Sequence, residues 1–297
     1  MNLLCIGMGY CARVLAGDLA AQGWAIAGTS RSADGAARIA AQEGYAGHVF
    51  DGTAAGTGLI TAIGESTHLL VSAAPGLTVD PVLTACRDPL AASQALRWIG
   101  YLSTVGVYGD TGGAWVDEDS PPQPGQDRTK RRLAAEHAWL DFGAATGRTV
   151  QIFRIAGIYG PGRNLLLNLR DGSAQRIVKP GQVFNRIHVA DIAQALAAGM
   201  ARGKPGRVYN VTDDEPAAPD QVVVFAAGLL GMAPPPAIPF EQAGLSPMAA
   251  SFYAGNRRVR NERLRRELAV DLIYPTYREG LTALAAEPGL GKGAPSP

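Results

Sequence analysis

The chain has 297 residues, 47% hydrophobic and 18% charged, which supplies a sizeable core and excludes disorder over most of its length. Its 27 basic and 26 acidic residues leave a formal net charge of +1, so no strong field recruits nucleic acid or an anionic membrane. Cys5, Cys11 and Cys86 are too few and too scattered for a disulfide framework or a zinc site, so free thiols in a reducing cytoplasm are expected, and no metal.

The apolar start, Met1 to Ile6, is too short for a secretory leader, lacks a basic lead and breaks at Gly7. No uncharged apolar stretch is long enough to span a bilayer. Residues 3–6 read as a strand and 12–22 as a helix. Strands follow at 24–30, 48–50, 68–72, 98–103 and 150–155, with helical segments at 35–42, 80–96 and 129–145 between them. This alternation predicts an α/β fold, a doubly wound parallel sheet with helices on both faces. After Pro161 the pattern becomes irregular until an Ala-rich helix over 191–202, which Asp191 can cap, and a strand at 208–211.

The expected organisation is a dinucleotide-binding domain over 1–165, with 186–212 returning to it. A smaller substrate lobe takes 166–185 and 213–285, over the C-terminal ends of the strands where open α/β sheets bind ligands. Residues 286–297 are Gly- and Pro-rich and read as a flexible tail.

Gly7-Met8-Gly9-Tyr10-Cys11-Ala12 follows the first strand and opens the first helix. It is a GxGxxA form of the dinucleotide fingerprint. Gly7 permits a tight turn, Gly9 lets the backbone approach a pyrophosphate, and Ala12 keeps helix and strand close. The second strand ends in Ser30-Arg31-Ser32, where NAD binders usually carry an acid for the ribose 2′-hydroxyl. An arginine flanked by hydroxyls suits a 2′-phosphate, so NADP is favoured over NAD. Asp51-Gly52 stands where the adenine is reached. Ser72-Ala73-Ala74 forms a small-residue loop beside the cofactor. Each of these also suits an ordinary strand-end loop.

Three stretches resemble the extended short-chain dehydrogenase/reductases, in their NAD-dependent epimerase/dehydratase branch: Gly7 to Ala12, Ser103 to Gly109, and Arg154 to Arg163. His188-Val189-Ala190-Asp191 is similar to that branch's HVxD signature. Val208 to Pro216 and Asn256 to Asn261 are similar to its atypical YeeZ-like group. The resemblance implies a Rossmann fold that places Ile155 near the cofactor. It also implies hydride chemistry with a Ser/Thr, here Thr104, beside the substrate oxygen, and a Tyr-x-x-x-Lys pair on one helix face. Many such proteins dimerise through the helices near 80–96 and 129–145, so a homodimer is expected there.

The Tyr-Lys pair is where the chain departs. Counting back from Leu133-Ala134-Ala135-Glu136 puts Arg132 at the lysine position and Arg128 at the tyrosine position. Arg132 still suits ribose hydroxyls, whereas a guanidinium at 128 stays charged and moves no proton near neutral pH. Gly157 stands where many sugar-nucleotide members carry Asn, and Phe184 where they carry Arg, with Arg186 displaced. Tyr108, Gly157, Arg163, Arg186 and His188 remain candidates for the substrate side, and Tyr108 or Tyr159 for a replacement acid. Three readings stay open: an NADP-dependent enzyme on a small polar, sugar-like or carbonyl substrate; a non-catalytic NADP-binding sensor; and a scaffold.

Overall fold

The residues of the first strand alternate between two cores. In β1 (Asn2–Ile6), Leu3 and Cys5 face one side of the sheet, and Leu4 and Ile6 the other. All four are at most 1% exposed, which only a strand covered by helices on both faces permits. The computed structural model describes residues 1–77 and 79–287. Its sheet has seven parallel strands: β1, β2 (Ala25–Ser30), β3 (Ala46–Val49), β4 (His68–Val71), β5 (Trp98–Thr104), β6 (Thr149–Ile155) and β7 (Arg207–Val211). The order is β7-β6-β5-β4-β1-β2-β3. Strand order reverses beside β1, where Leu3 pairs with Ile26 on one side and His68 on the other. That reversal opens the crevice in which doubly wound sheets bind ligands.

One layer holds α1 (Tyr10–Ala20) and, on the same face, a later helix over Val189–Arg202. α2 (Ala33–Glu43) joins that layer at the β3 edge, with Ile39 in the same core, and the opposite face is covered separately. Its main cover is α3 (Thr57–Glu65), α4 (Pro81–Ala92) and α5 (Asp127–Thr146), packed through Leu59, Val82, Cys86, Trp139 and Phe142. Asp80 starts α4 by accepting from the amides of Val82 (2.9 Å) and Leu83 (3.2 Å), with Pro81 in the first turn.

The lobe has its own apolar core where α6 (Leu165–Arg170), α8 (Pro219–Leu230) and α11 (Tyr277–Ala285) meet. Leu166, Leu169, Val223, Ala226, Tyr277 and Leu281 fill it. Between these helices in the chain run α7 (Val189–Arg202), α9 (Pro247–Phe252) and α10 (Glu262–Leu268).

Two sequence expectations are corrected. Asp191 does not cap α7. His188 occupies the cap position, and Asp191 sits inside the first turn, accepting from the amides of Ile273 (2.6 Å) and Tyr274 (3.2 Å). Residues 213–285 are not all lobe: Val259, Leu264, Leu268, Val270 and Leu272 pack into the main-sheet core beside α7. An amphipathic segment goes wherever its apolar stripe finds cover, and the back of α7 offers it. Of the tail, residues 288–297 lie outside the described residues.

Candidate cofactor and substrate site

The turn after β1 is fixed from both neighbouring strands. Gly7 adopts φ +92°, and its amide donates to Thr29 Oγ1 at 2.8 Å. The Met8 amide donates to the Thr29 carbonyl at 2.9 Å. From β4, the Ser72 hydroxyl donates to the Gly7 carbonyl, and the Ser72 and Ala73 amides donate to Ile6. Gly9 is the N-cap of α1 and supplies no side-chain acceptor, and no acid stands in the first turn. The amides at the start of α1 therefore keep their donors free, at the positive end of the helix dipole. A Cβ on Gly9 would meet nothing within 4 Å. Ala12, fully buried, lets α1 lie against β1. Cys11 is buried, with its thiol pushed up to about 11 by burial, so it packs rather than reacts. Tyr10 ties the turn to the lobe entrance: its hydroxyl donates to the Pro161 carbonyl at 2.9 Å, and Arg163 lies 5.9 Å over its ring.

At the end of β2, Ser32 accepts from the Gly35 amide (3.2 Å) and caps α2. Arg31 between the two serines is exposed, and none of its hydrogen bonds or ion pairs appears among the described residues. Asp51 folds back on itself: Oδ1 accepts from the Thr53 amide (2.9 Å) and hydroxyl (2.7 Å), which lowers its carboxyl below the usual range. Gly52 follows at φ +100°.

The other end of the crevice is built around α5. Arg132 reaches the strand ends of β4 and β5, donating to Leu102 O (2.9 Å), Tyr101 OH (3.1 Å) and Ala73 O (3.4 Å). Thr104 Oγ1 accepts from the Gly106 amide at 3.0 Å, capping the short turn over Val105–Tyr108. Its own proton stays available for a substrate oxygen. Ile155 closes β6 beside Thr104, and Ala74 continues the small-residue loop after β4. Arg128, one turn before Arg132, points the other way. Its Nε donates to Gln126 Oε1 (2.8 Å), and its guanidinium stacks 4.4 Å over Phe252 of α9.

Neither tyrosine weighed as a replacement acid reaches this region. Tyr108 is 1% exposed, donates to Asn210 Oδ1 (2.8 Å) and accepts from Arg154 Nη1 (2.9 Å). Burial pushes its hydroxyl up to about 12. Tyr159 is buried against Gly280 and its hydroxyl is held well above its ordinary value by burial. His188 Nδ1 accepts from the Ala190 amide (3.2 Å), and the ring packs between Tyr159 and Tyr274. Burial lowers it to about 4, so it is a neutral cap. Arg186 donates to the Phe184 (3.0 Å) and Ala217 (3.3 Å) carbonyls. Gly157 is exposed, with Asn185 O 3.1 Å from where its Cβ would stand. The helices of the expected dimer face, α4 and α5, border a cleft of about 400 Å³ lined by Asp80, Thr84, Arg131 and Ala138 among others.

Two groups escaped the sequence. Glu136 and Arg154 form a buried ion pair at 2.8 Å that also takes the Ser103 hydroxyl. Arg257, visible before only as part of a signature, lies against the Gly109 carbonyl.

Residues 7–212 match the NAD dependent epimerase/dehydratase family. The chain belongs to that family. This agrees with the extended short-chain dehydrogenase/reductase motifs, and the matched segment begins at the glycine turn and ends one residue beyond β7. The protein YeeZ of Escherichia coli (strain K12) is 27% identical over 252 residues, covering 77% of this chain and 84% of that one. The structure of a functionally unknown conserved protein from Silicibacter pomeroyi DSS is 50% identical, with a TM-score of 0.86 over 96% of this chain and 98% of that one. A dTDP-glucose 4,6-dehydratase from Bacillus anthracis, solved with NAD, shares the fold at 18% identity, with a TM-score of 0.75 over 95% and 94% of the chains. Among the described residues, no helix is long and apolar enough to cross a membrane.

Proposed function

We propose that this family member is an NADP-dependent enzyme of the oxidoreductase or epimerase/dehydratase type acting on a small polar substrate. The observation that carries the reading is the pairing of an uncapped turn at Gly7–Gly9, open beside Gly9, with Arg132 held across the ends of β4 and β5. The site fits the cofactor: the space beside Gly9 is open, and free amides face it. The nicotinamide, when bound, supplies hydride transfer. Amides at the start of α1 bind the diphosphate, and Arg31 selects the 2′-phosphate. Arg132 stands in for the family's lysine as a cation for ribose hydroxyls, its position fixed by Leu102 O and Tyr101 OH. Thr104 directs a hydroxyl proton at the substrate oxygen. No side chain at position 128 moves a proton, so the proton comes from water or from the substrate.

Fluorescence titration with NADPH and NADH tests this. NADPH is expected to bind at least about tenfold tighter, the difference one charge-assisted contact makes. Failure of both to bind sinks the reading. A second reading, a non-catalytic NADP sensor, is favoured by the arginine at 128 and by the burial of Tyr108 and Tyr159. Single-turnover mixing of the NADPH complex with a panel of aldehydes and ketones separates the two. The enzyme oxidises the cofactor with at least one of them, and the sensor oxidises it with none.

A further inference from the structure

The segment carrying α9 is anchored in the lobe at both ends and touches the dinucleotide domain in between. Ala243 and Tyr253 are buried together with Ile177 in a small core of the lobe. Tyr253 also packs on Phe184, ring centroids 5.0 Å apart, and its carbonyl accepts from Lys179 at 2.6 Å. No residue between these two anchors is buried. The middle of the segment meets the first turn of α5. There Gln126 Nε2 donates to the Ser251 carbonyl at 2.6 Å. Arg128 Nη1 donates to Met248 Sδ at 3.2 Å, and the guanidinium lies 4.4 Å over the Phe252 ring. Met248 and Phe252 stand four residues apart on one face of α9, so a single arginine holds both.

Two features make that contact easy to break. Met248 and Phe252 remain 62% and 54% exposed, and an element that buries so little opens locally at small cost. Glycines follow both anchors: Gly244, at φ +58°, comes after Ala243, and Gly255 comes shortly after Tyr253. A few such positions are enough to absorb a hinge motion. The place is also suited to a gate. Thr129, beside Arg128 on α5, and Thr104 crowd the same spot, with Thr129 Cγ2 at 3.1 Å and Thr104 Oγ1 at 3.2 Å from where a Cβ on Gly106 would stand. Arg132 follows one helical turn along α5. α9 therefore bridges the lobe and the dinucleotide domain at the end of the crevice where Thr104 and Arg132 stand.

We propose that α9 is a lid, hinged at Gly244 and Gly255 and held shut by Arg128. At the place where an acid–base tyrosine is expected, this chain carries a positioning residue for the lid. That a nicotinamide lies beneath it rests on the reading above. The opening of α9 does not.

Hydrogen–deuterium exchange of the full-length protein, read by mass spectrometry on peptides over α9 and over β6, tests the lid. Arg128→Ala should speed exchange in the α9 peptide by about three- to thirtyfold, the worth of a cation held over a ring, and leave the β6 peptide unchanged. Arg128→Lys keeps a cation at the ring and should restore most of the protection. Phe252→Ala removes the same contact from an exposed position, so it keeps the test intact should Arg128→Ala fail to fold. Unchanged exchange over α9 in a folded variant, or equal acceleration in both peptides, overturns the proposal. Acrylamide quenching of bound NADPH fluorescence then reads what the lid covers, and Arg128→Ala should increase it. Faster exchange with quenching unchanged keeps the lid and removes the nicotinamide from beneath it. A protein that binds no NADPH loses the cofactor reading, and its exchange still decides the lid.

Discussion

A Cβ on Gly7 would stand 2.9 Å from the hydroxyl oxygen of Ser72, the same hydroxyl that donates to the Gly7 carbonyl. Three strands on in sequence, Ser72 thus locks the glycine turn from just past the end of β4. Gly9, two residues on, has open space where Gly7 has a neighbour. The fold requires the first glycine, whereas nothing among the described residues crowds the second.

The two positions should therefore separate on substitution. Gly7→Ala forces a side chain into φ +92° and against Ser72, and should cost about 1–3 kcal/mol of stability. Gly9→Val adopts the extended φ of −93° without strain and should cost no more than about 1 kcal/mol, the difference between glycine and a branched apolar residue at an N-cap. Its branched side chain should weaken NADPH at least about tenfold, because it fills the approach to the diphosphate. Thermal unfolding and fluorescence titration read the two effects. Undiminished NADPH affinity in Gly9→Val would falsify the placement of the diphosphate.

Arg31 has no partner of its own among the described residues and stands exposed between Ser30 and Ser32. Arg31→Ala should raise the NADPH dissociation constant by about ten- to a hundredfold while changing that for NADH by no more than about twofold. Titration of both cofactors on one preparation measures the ratio. Equal losses for the two would show that Arg31 is a solvated loop arginine.

What the sequence revealed of this site follows from which interactions are local. The strand, turn and helix around Gly7 lie within a dozen residues, so their pattern shows. Arg132 shows too, because its offset from Glu136 is a helical count. Glu136 itself did not show as buried, because charged residues in a basic amphipathic helix normally face water. Its burial depends on Arg154, a residue on β6 that pairing brings opposite. Arg257 was unreadable for the same reason, since its neighbour Gly109 lies 148 residues earlier. In the lobe, α8 carried legible boundary signals, Pro219 at its first turn and Gly231 in the left-handed cap. Its Val-Val-Val-Phe start, rich in strand-forming residues, concealed them.

The Glu136–Arg154 pair also predicts a stability effect. Glu136 is 1% exposed, and its carboxylate takes three contacts from Arg154 and one from Ser103. Glu136→Ala leaves Arg154 as an uncompensated buried charge and should cost about 3–5 kcal/mol. Lys130→Ala, which removes the exposed pair with Asp127 on the same helix, should cost less than about 1 kcal/mol. Urea unfolding of both variants checks the contrast. A loss of similar size in the two would mean that the buried pair is not what holds α5 to β6.

The buried cap at His188 makes stability depend on pH. Nδ1 accepts from the Ala190 amide, which requires the neutral ring, and burial lowers the ring to about 4 from an ordinary value of 6.5. The unfolded chain therefore takes up this proton first as pH falls. The stabilising contribution is full above pH 6.5 and is lost progressively as pH drops towards 4. The loss is about 3 kcal/mol at most, by the worth of each pKa unit. Asp191, one turn on, is raised to about 6 by burial and acts in the opposite sense, gaining stability over part of the same range. The wild-type curve alone thus mixes the two. His188→Asn keeps an N-cap acceptor and removes the titrating ring, so it isolates the histidine. Between pH 6.5 and 4 the wild type should lose stability faster than His188→Asn, while Asp191 contributes alike to both. A difference between the two that stays constant across this range would show that the ring is not held neutral by its place at the head of α7.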